Sequence, residues 1–394
     1  MIKKKFGMEQ PWPFFCEEQI QIATDVLRSG KVNYWTGSQG KLFEQEFADY
    51  IGVKYAIALA NGTLAIELAL IALGIGSGDE VIVPSRTYIA TAGAVVIRGA
   101  EPVVADIDLI SGNVNVSTIE KVRTSRTRAI IVVHLGGWPC DMPAIMAYAK
   151  EHGLLVIEDC AQAHGASYEG RKVGSFGDAA AFSFCQDKIM STGGEGGMVV
   201  FRDRDNWSRA WSFKDHGRNF EKVYSQDHSP GFRWLNDSFG SNYRMTELQA
   251  SIGRFQLRKL DEWVVNRQRL ASVLDSFFDG CSLLRQAIPP ENIVHARYRY
   301  YTYIKTNELN DSYSRERIIG EFAEYGIPCS SGSCSEIYLE KAFVGSGFSP
   351  ETRYHCAKEL GETSLVFLVD PTLTEDDMQY ICDVSKEIFG KAGR

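Results

Sequence analysis

Short, largely apolar runs that end at proline, glycine or acidic residues dominate the first half of the chain. Five such runs follow one another, at 81–83, 130–133, 154–157, 180–184 and 198–201. Continuous apolar runs of this length are typical of strands buried on both faces, as in parallel sheets. Helix-like stretches, such as 64–73 and 142–150, lie between them. The pattern predicts an α/β fold around a largely parallel sheet.

The chain changes character after Met245. Residues 245–278 are predicted to form one long helix that leads from a first domain into a second. The remainder predicts a smaller α/β segment, with strands at 299–304 and 363–368 and helices at 315–325 and 375–389. A length of 394 residues suits about two domains. We therefore expect a large domain at 1–255, a small domain at 256–394, and an N-terminal segment that packs on the small domain.

Composition excludes several classes of function. The net charge of −8 argues against nucleic-acid binding, which needs a basic surface. No run approaches the ~20 apolar residues of a membrane span, and the N-terminus does not read as a signal peptide. Nine cysteines are scattered without zinc-site spacing. We expect a cytoplasmic protein that binds no metal, membrane or nucleic acid.

Residues that follow the predicted strands are the candidates for chemistry, because ligands of open α/β sheets gather at the carboxyl ends of strands. Asn61, Gly62 and Thr63 precede an apolar helix, whose free N–H groups and dipole favour a phosphate. Taken alone, these residues are better explained by an ordinary helix cap and turn. Asp159 follows the run at 154–157 and could pair with a protonated ring nitrogen of a cofactor, or simply cap a helix.

Lys188 lies between the run at 180–184 and a glycine-rich loop at 193–197. A lysine in this place can point into a cleft. Burial there would lower its pKa and make the amine nucleophilic. The plainer alternative is a surface lysine, since most lysines are exposed.

Taken together, these segments resemble the DegT/DnrJ/EryC1/StrS group of fold-type-I pyridoxal 5′-phosphate (PLP) enzymes, the sugar aminotransferases. The likeness runs from about residue 30 to 260 and is looser beyond 280. It rests on segments at 43–47, 61–63, 78–84, 158–166, 174–178, 182–188, 194–197 and 242–250. The resemblance implies a large domain with a mainly parallel seven-stranded sheet between helices, and a smaller C-terminal α/β domain.

The resemblance also implies roles for single residues around PLP. It makes Lys188 the Schiff-base lysine, which also acts as acid and base, and Asp159 the catalytic partner of the ring nitrogen. The other implied cofactor ligands are Gln162 at the ring hydroxyl, Tyr88 stacked on the ring, Gly62, Thr63 and Ser183 at the phosphate, and Asn242 at the phosphate of the neighbouring subunit's cofactor. A homodimer with shared active sites follows from the last of these.

The function implied is transfer of an amino group from glutamate or glutamine to a keto sugar, nucleotide-linked, in amino-sugar biosynthesis. Alternatives stay open. Residues 134–142 also resemble aminocyclitol-forming members, and a relative that makes an aminobenzoate precursor has similar motifs. Sugar 3-dehydratases of the group carry histidine where this chain has Lys188. A noncatalytic PLP-binding regulator is the remotest alternative.

Four further features have two explanations each. Trp35, Thr36 and Gly37 fall where the family lines part of the sugar site, although Trp35 could be plain interface packing. His164 could touch the cofactor region, but a hydrogen-bonded structural histidine is the favoured interpretation. The tyrosines at 298–303 alternate as in a strand and favour sheet packing over a substrate platform. Asn242 could merely cap the helix that follows, and Glu195 receives no role.

Overall fold

The structure is a computed structural model that describes residues 6–7, 11–225 and 231–394. The α-helices of these residues, in chain order, are α1 (Glu17–Ser29), α2 (Gln39–Ile51), α3 (Gly62–Ala72), α4 (Ala90–Ile97), α5 (Val116–Glu120), α6 (Met142–His152), α7 (Arg204–Lys214), α8 (Phe220–Tyr224), α9 (Glu247–Leu257), α10 (Leu260–Phe278), α11 (Arg315–Glu324), α12 (His355–Thr363) and α13 (Glu375–Ala392). None of the helices in the described part of the chain combines the length and apolar character that crossing a membrane requires.

The strands of the same residues are β1 (Tyr55–Leu59), β2 (Glu80–Pro84), β3 (Glu101–Ala105), β4 (Thr127–Val133), β5 (Leu155–Asp159), β6 (Ser167–Tyr168), β7 (Arg171–Lys172), β8 (Ala179–Ser183), β9 (Gly197–Phe201), β10 (Leu284–Gln286), β11 (Ile293–Val294), β12 (Tyr300–Ile304), β13 (Cys329–Ser330) and β14 (Ser364–Phe367). All five apolar runs therefore form strands, as predicted.

A seven-stranded sheet in the order β1-β9-β8-β5-β4-β2-β3 forms the centre of the fold. Its strands are parallel except β9, which runs antiparallel to β1 and to β8. Alternate residues of a strand face opposite sides. In β1, Ile57 and Leu59 enter one core with α3, α4 and α7, whereas Ala56 and Ala58 enter another with α2 and α9. Both faces are thus covered, and the predicted mainly parallel sheet between helices is confirmed.

A second sheet, in the order β10-β12-β14-β13, is entirely antiparallel and packs with α10, α11 and α13 around a separate core. Phe6 packs against that core, and the Gly7 amide donates to Asp377 at 3.3 Å. The second sheet lies within the predicted small domain. The domain bounds at 255 and 256 stay a prediction, and they fall near the end of α9.

The predicted single helix over 245–278 is wrong, because the chain forms α9 and α10 with Arg258 and Lys259 between them. The two helices pack against different partners. Helix α9 lies on α1 and α2, whereas α10 lies on α13 of the C-terminal segment. One straight helix could not serve both surfaces. The periodicity of the sequence is helical throughout and does not reveal the break.

The carboxylate of Glu158, near the end of β5, forms hydrogen bonds with two other segments of the chain. Its side chain is fully buried and accepts three backbone N–H groups of the loop at 174–177, at 2.7 to 2.8 Å. The ring of His134, just beyond β4, lies 3.0 Å away through Nε2, while its Nδ1 accepts from the Cys140 amide at 2.9 Å. Since Nδ1 accepts, Nε2 carries the proton and donates to Glu158.

We predict that Glu158→Ala lowers the free energy of unfolding by about 3–5 kcal/mol, because it leaves buried N–H groups without an acceptor. Urea unfolding followed by circular dichroism measures the change. Glu101→Ala is the matched control, since Glu101 lies on the same sheet but pairs with Arg126 at the surface. A loss no larger than that of the control would contradict the assigned role.

Candidate active site

The ends of β5 and β8 bring the two predicted catalytic residues to one edge of the sheet. Asp159 is the last residue of β5, and Ser183 is the last residue of the neighbouring parallel strand β8. The loop after β8 then carries Lys188. Because parallel strands end at the same edge, Lys188 and Asp159 lie on the side where ligands bind in such sheets.

Asp159 is buried and held by two hydrogen bonds. Its Oδ2 accepts from the Thr91 hydroxyl at 3.0 Å, and its Oδ1 accepts from the Ala161 amide at 3.1 Å. Burial raises the pKa of Asp159, while these hydrogen bonds and the nearby Lys188 ammonium partly oppose the rise. Turns, and no helix, connect β5 to β6. The helix-cap alternative is therefore wrong.

The amine of Lys188 faces an acid and a phenol. Its Nζ lies 3.2 Å from Asp187 Oδ1 and 3.5 Å from the Tyr298 hydroxyl, which itself donates to Asp187. Burial lowers the pKa of Lys188, but Tyr298 and Asp187 outweigh it, so that the pKa lies above its ordinary value. The expectation of a lowered pKa is wrong because the neighbouring negative charge stabilises the ammonium.

Lys188 lines a cavity of about 300 Å³ between the two sheets. Of the predicted ligands, Tyr88 and Gln162 also line it. The Thr87 hydroxyl lines it as well and lies 2.8 Å from that of Thr91, the hydrogen-bond partner of Asp159. Asp159 is thus connected to the cavity by two threonines.

Gln162 and Tyr88, two of the predicted ligands, lie at different places in the wall of this cavity. The Gln162 Oε1 accepts from the Gly136 amide at 2.7 Å, and its Nε2 donates to the Ser333 hydroxyl at 3.4 Å. The side chain therefore joins both sheets across the cavity. Tyr88 is 71% exposed, so its ring is available to cover a ligand that enters.

The predicted phosphate ligands Gly62 and Ser183 lie against each other. A Cβ on Gly62 would come within 2.6 Å of the Ser183 Cβ, so that only glycine allows this approach. Gly62 and Thr63 open α3, whose first N–H groups have no partner within the helix. The Asn61 side chain caps the helix by accepting from the Leu64 amide at 3.0 Å. The cap at Asn61 therefore leaves the other N–H groups at the start of α3 free to bind a phosphate.

Asn242 is exposed, and its Oδ1 accepts from the Arg244 amide at 3.4 Å. It does not cap α9, because the N-cap is Thr246, whose side chain accepts from the Gln249 amide. The helix-cap alternative for Asn242 is wrong. The Ala60 amide donates to the Tyr243 carbonyl at 3.1 Å, so this segment lies beside the approach to Gly62 of its own chain.

His164 and Trp35, two of the remaining candidates, both pack against aromatic side chains. His164 packs between Phe182 and Phe184, and its ring nitrogens make no hydrogen bond of normal geometry with the described residues. Burial, then the charges of Lys188 and Arg267, lower its pKa to about 3, although the Ser183 backbone acts in the opposite direction. It is structural, but not hydrogen-bonded as expected. Trp35 packs edge-on against Trp211, and none of residues 35–37 is among the residues that line the Lys188 cavity.

Five residues around Lys188 were not among the predicted site residues. Asp187 is adjacent in sequence, which was the available signal. The strand-like alternation of tyrosines favours sheet packing for Tyr298, yet its hydroxyl reaches Lys188, and it lines the cavity with Arg299 and Tyr301. Trp12 donates from Nε1 to the Lys188 carbonyl at 2.8 Å and packs edge-on against Trp263. No local pattern marks these long-range contacts.

The family profile described as the DegT/DnrJ/EryC1/StrS aminotransferase family matches residues 15–385. The chain belongs to this family. The family membership and the enzyme class that the sequence predicts, an aminotransferase, are confirmed. The match also covers the C-terminal segment, where the motifs alone gave only a loose resemblance.

Curated relatives and solved structures support the same assignment. The aminotransferase is 41% identical to GDP-perosamine synthase of Caulobacter vibrioides over 320 aligned residues. The aligned region covers 78% of this chain and 83% of the relative. It is 38% identical to a UDP-N-acetyl-3-dehydro-alpha-D-glucosamine 3-aminotransferase of Acidithiobacillus ferrooxidans, over 94% of both chains.

The crystal structure of an aminotransferase from Psychrobacter cryohalolentis matches with a TM-score of 0.96 and 49% identity, over 97% of this chain and 99% of that one. A sugar aminotransferase described as putative, Spr1654 of Streptococcus pneumoniae, is known in a PLP form and a PMP form. Its PLP form matches with a TM-score of 0.86 and 25% identity, over 98% and 99% of the two chains. The fold-type-I assignment is confirmed by these neighbours.

We predict that Asp187→Asn lowers the pKa of Lys188, because it removes the charge that stabilises the ammonium. The rate of reductive methylation of Lys188 in the cofactor-free protein, followed by peptide mapping across a pH series, should reach half its maximum at lower pH than in the wild type. Glu195→Gln is the control, since Glu195 lies in the same loop between β8 and β9 but its carboxylate faces the Cys185 thiol, at 3.8 Å. Identical profiles for Asp187→Asn and wild type would refute the electrostatic role of Asp187.

Proposed function

We propose that this aminotransferase moves an amino group from glutamate or glutamine to the keto carbon of a nucleotide-linked sugar, with PLP as its cofactor, in amino-sugar biosynthesis. The observation that carries the proposal is the position of the Lys188 amine, in a cavity beside the buried Asp159 at the ends of adjacent strands. The names of the relatives from C. vibrioides and A. ferrooxidans support a nucleotide sugar over a cyclitol or aminobenzoate precursor.

The residues present fit PLP. The Lys188 amine is available in the cavity for its aldehyde, and Asp159 offers a buried carboxylate for its ring nitrogen. The α3 N-terminus with Gly62, Thr63 and the Ser183 hydroxyl offers donors for its phosphate, and the missing Cβ of Gly62 leaves the cradle open. When bound, PLP withdraws electrons from the carbon that bears the amino group.

Four side chains of this chain then have separate roles in the reaction. The Asp159 carboxylate favours a proton on the ring nitrogen, since an opposite charge stabilises the charged form. The Lys188 amine accepts and returns the proton at the reacting carbon, as general base and general acid. Asp187 and Tyr298 hold the ammonium of the released lysine within 3.5 Å. Lys188 retains the amine that a histidine at this position, as in the dehydratases, would lack.

A symmetric dimer with shared sites belongs to the same proposal. Phe232, Trp234 and Phe239 lie close before Asn242 and are 80%, 84% and 100% exposed. Clustered exposed aromatic side chains mark interaction surfaces, and a two-fold dimer is the commonest closed assembly. In the proposed dimer, the exposed Asn242 completes the phosphate site of the other subunit.

For the reaction, we predict that the holoenzyme mixed with L-glutamate and no acceptor forms one 2-oxoglutarate per active site. Lys188→Ala should reduce the rate by more than the ~10²–10⁴-fold typical of losing a general acid–base, because the covalent tether is lost too. Coupled enzymatic assay of 2-oxoglutarate measures the burst. Lys172→Ala is the control, since Lys172 pairs with Asp261 outside the cavity. Absence of oxo acid from glutamate, glutamine and other amino donors would refute the aminotransferase proposal.

For assembly, we predict that Lys188→Ala chains and Asn242→Trp chains, each inactive alone, regain activity when unfolded together and refolded. With shared sites, a mixed dimer has one site with both lesions and one with neither. Random pairing of equal amounts should return roughly a quarter of wild-type activity. If Asn242 serves the site of its own chain, every site carries a lesion and no activity returns. Sedimentation of the wild type as a monomer would also contradict the prediction.

A further inference from the structure

We propose that Arg299 binds the α-carboxylate of the amino donor. This rests on the proposed amino transfer and assigns the donor a residue that neither the family resemblance nor the comparisons single out. Three features support this role: the charge balance of the cavity, the free hydrogen-bonding capacity of Arg299, and the position of Arg299 relative to Lys188.

The Lys188 cavity carries an excess of positive charge. Its lining residues with ionised side chains are Asp187, Lys188 and Arg299, which amount to one acid and two bases. The remaining lining residues are neutral. The chain as a whole has a net charge of −8, so the cavity has the opposite sign of charge from the whole chain. A local surplus of one positive charge attracts an anionic ligand.

Arg299 forms no hydrogen bond with the Asp187 carboxylate. The carboxylate of Asp187 is already engaged by the Lys188 ammonium at 3.2 Å and by the Tyr298 hydroxyl. Arg299 Nη2 lies 3.8 Å from Asp187 Oδ2, which is beyond hydrogen-bonding distance. Among the described residues, the guanidinium makes one hydrogen bond, from Nη1 to the Tyr298 carbonyl at 3.3 Å. Most of its five donors are therefore available.

The position of Arg299 suits an α-carboxylate. Lys188 and Arg299 approach the two oxygens of the same Asp187 carboxylate, so amine and guanidinium are neighbours. The guanidinium also lies 4.4 Å from the centre of the Tyr298 ring, which restrains its plane. In an α-amino acid, one carbon bears both the amine and the carboxylate. A donor whose amine reacts where Lys188 stands therefore presents its α-carboxylate to Arg299, whether it is glutamate or glutamine.

The test compares L-glutamate, L-glutamine and glutamate α-amide as donors in single turnovers of the holoenzyme without acceptor, measured as oxo acid formed. In the wild type, the α-amide should react about 10- to 100-fold more slowly than glutamate, the usual effect of losing a hydrogen-bonded charge partner. Arg299→Gln should slow glutamate by a similar factor and leave little difference between glutamate and its α-amide. Arg299→Lys should be intermediate, because it keeps the charge without the planar fork.

Arg128→Gln is the matched control. It removes the same charge at the opposite end of the large sheet, near the start of β4, and should leave all three donors unchanged. Circular dichroism of Arg299→Gln checks that the fold is retained, and Arg299→Lys repeats the test with less disturbance. Unaltered preference for glutamate over its α-amide in Arg299→Gln would overturn the proposal. So would loss of discrimination between glutamate and glutamine instead, since that places the side-chain carboxylate at Arg299.

Calorimetric titration of the holoenzyme with glutarate separates this inference from the proposed function. Glutarate binding that Arg299→Gln weakens, without oxo acid from any donor in the wild type, would support the anion site and refute amino transfer. Oxo acid formation with unchanged glutarate affinity and donor preference in Arg299→Gln would support amino transfer and refute the role of Arg299. An effect of Arg299→Gln on the sugar acceptor alone would likewise overturn it.

Discussion

The hydrogen bonds of the buried Glu158 carboxylate are the interaction on which the arrangement of the site depends. Glu158 and Asp159 are consecutive in β5 and therefore face opposite sides of the sheet. Glu158 holds the loop at 174–177 and the His134 ring on its side, and this fixes where Asp159 points on the other. The same constraint extends forward from His134 to Gly136, whose amide orients Gln162 beside the cavity. An apolar residue at 158 could fill the space but could not satisfy those donors.

Much of the site was predictable because its residues follow strands that can be recognised in the sequence as apolar runs. The runs before Asp159 and Lys188 are apolar and end abruptly, so their ends could be located from the pattern alone. The break between α9 and α10 was not predictable, because both halves are helical and only their tertiary partners differ. Tyr298 and Arg299 were missed for a related reason. They are more than a hundred residues from Lys188 in sequence, and only the packing of the second sheet on the first brings them together.

The Lys188 environment shows that burial alone does not decide the charge of a lysine. Desolvation favours the neutral amine, whereas Asp187 and Tyr298 favour the ammonium and prevail. An amine kept protonated is a poor nucleophile but a well-placed proton donor. The ammonium must therefore give up its proton before the amine can react with an aldehyde. The balance can change when another cation or anion enters the cavity, since every charged group there is within reach of Asp187.

The hydrogen bond from the Trp12 indole to the Lys188 carbonyl links the segment before α1 to the loop that carries Lys188. The backbone of the reactive loop is held from outside by a segment that neither sheet contains. A purification tag or a shortened gene that displaces this segment would loosen the lysine without altering any residue of the cavity.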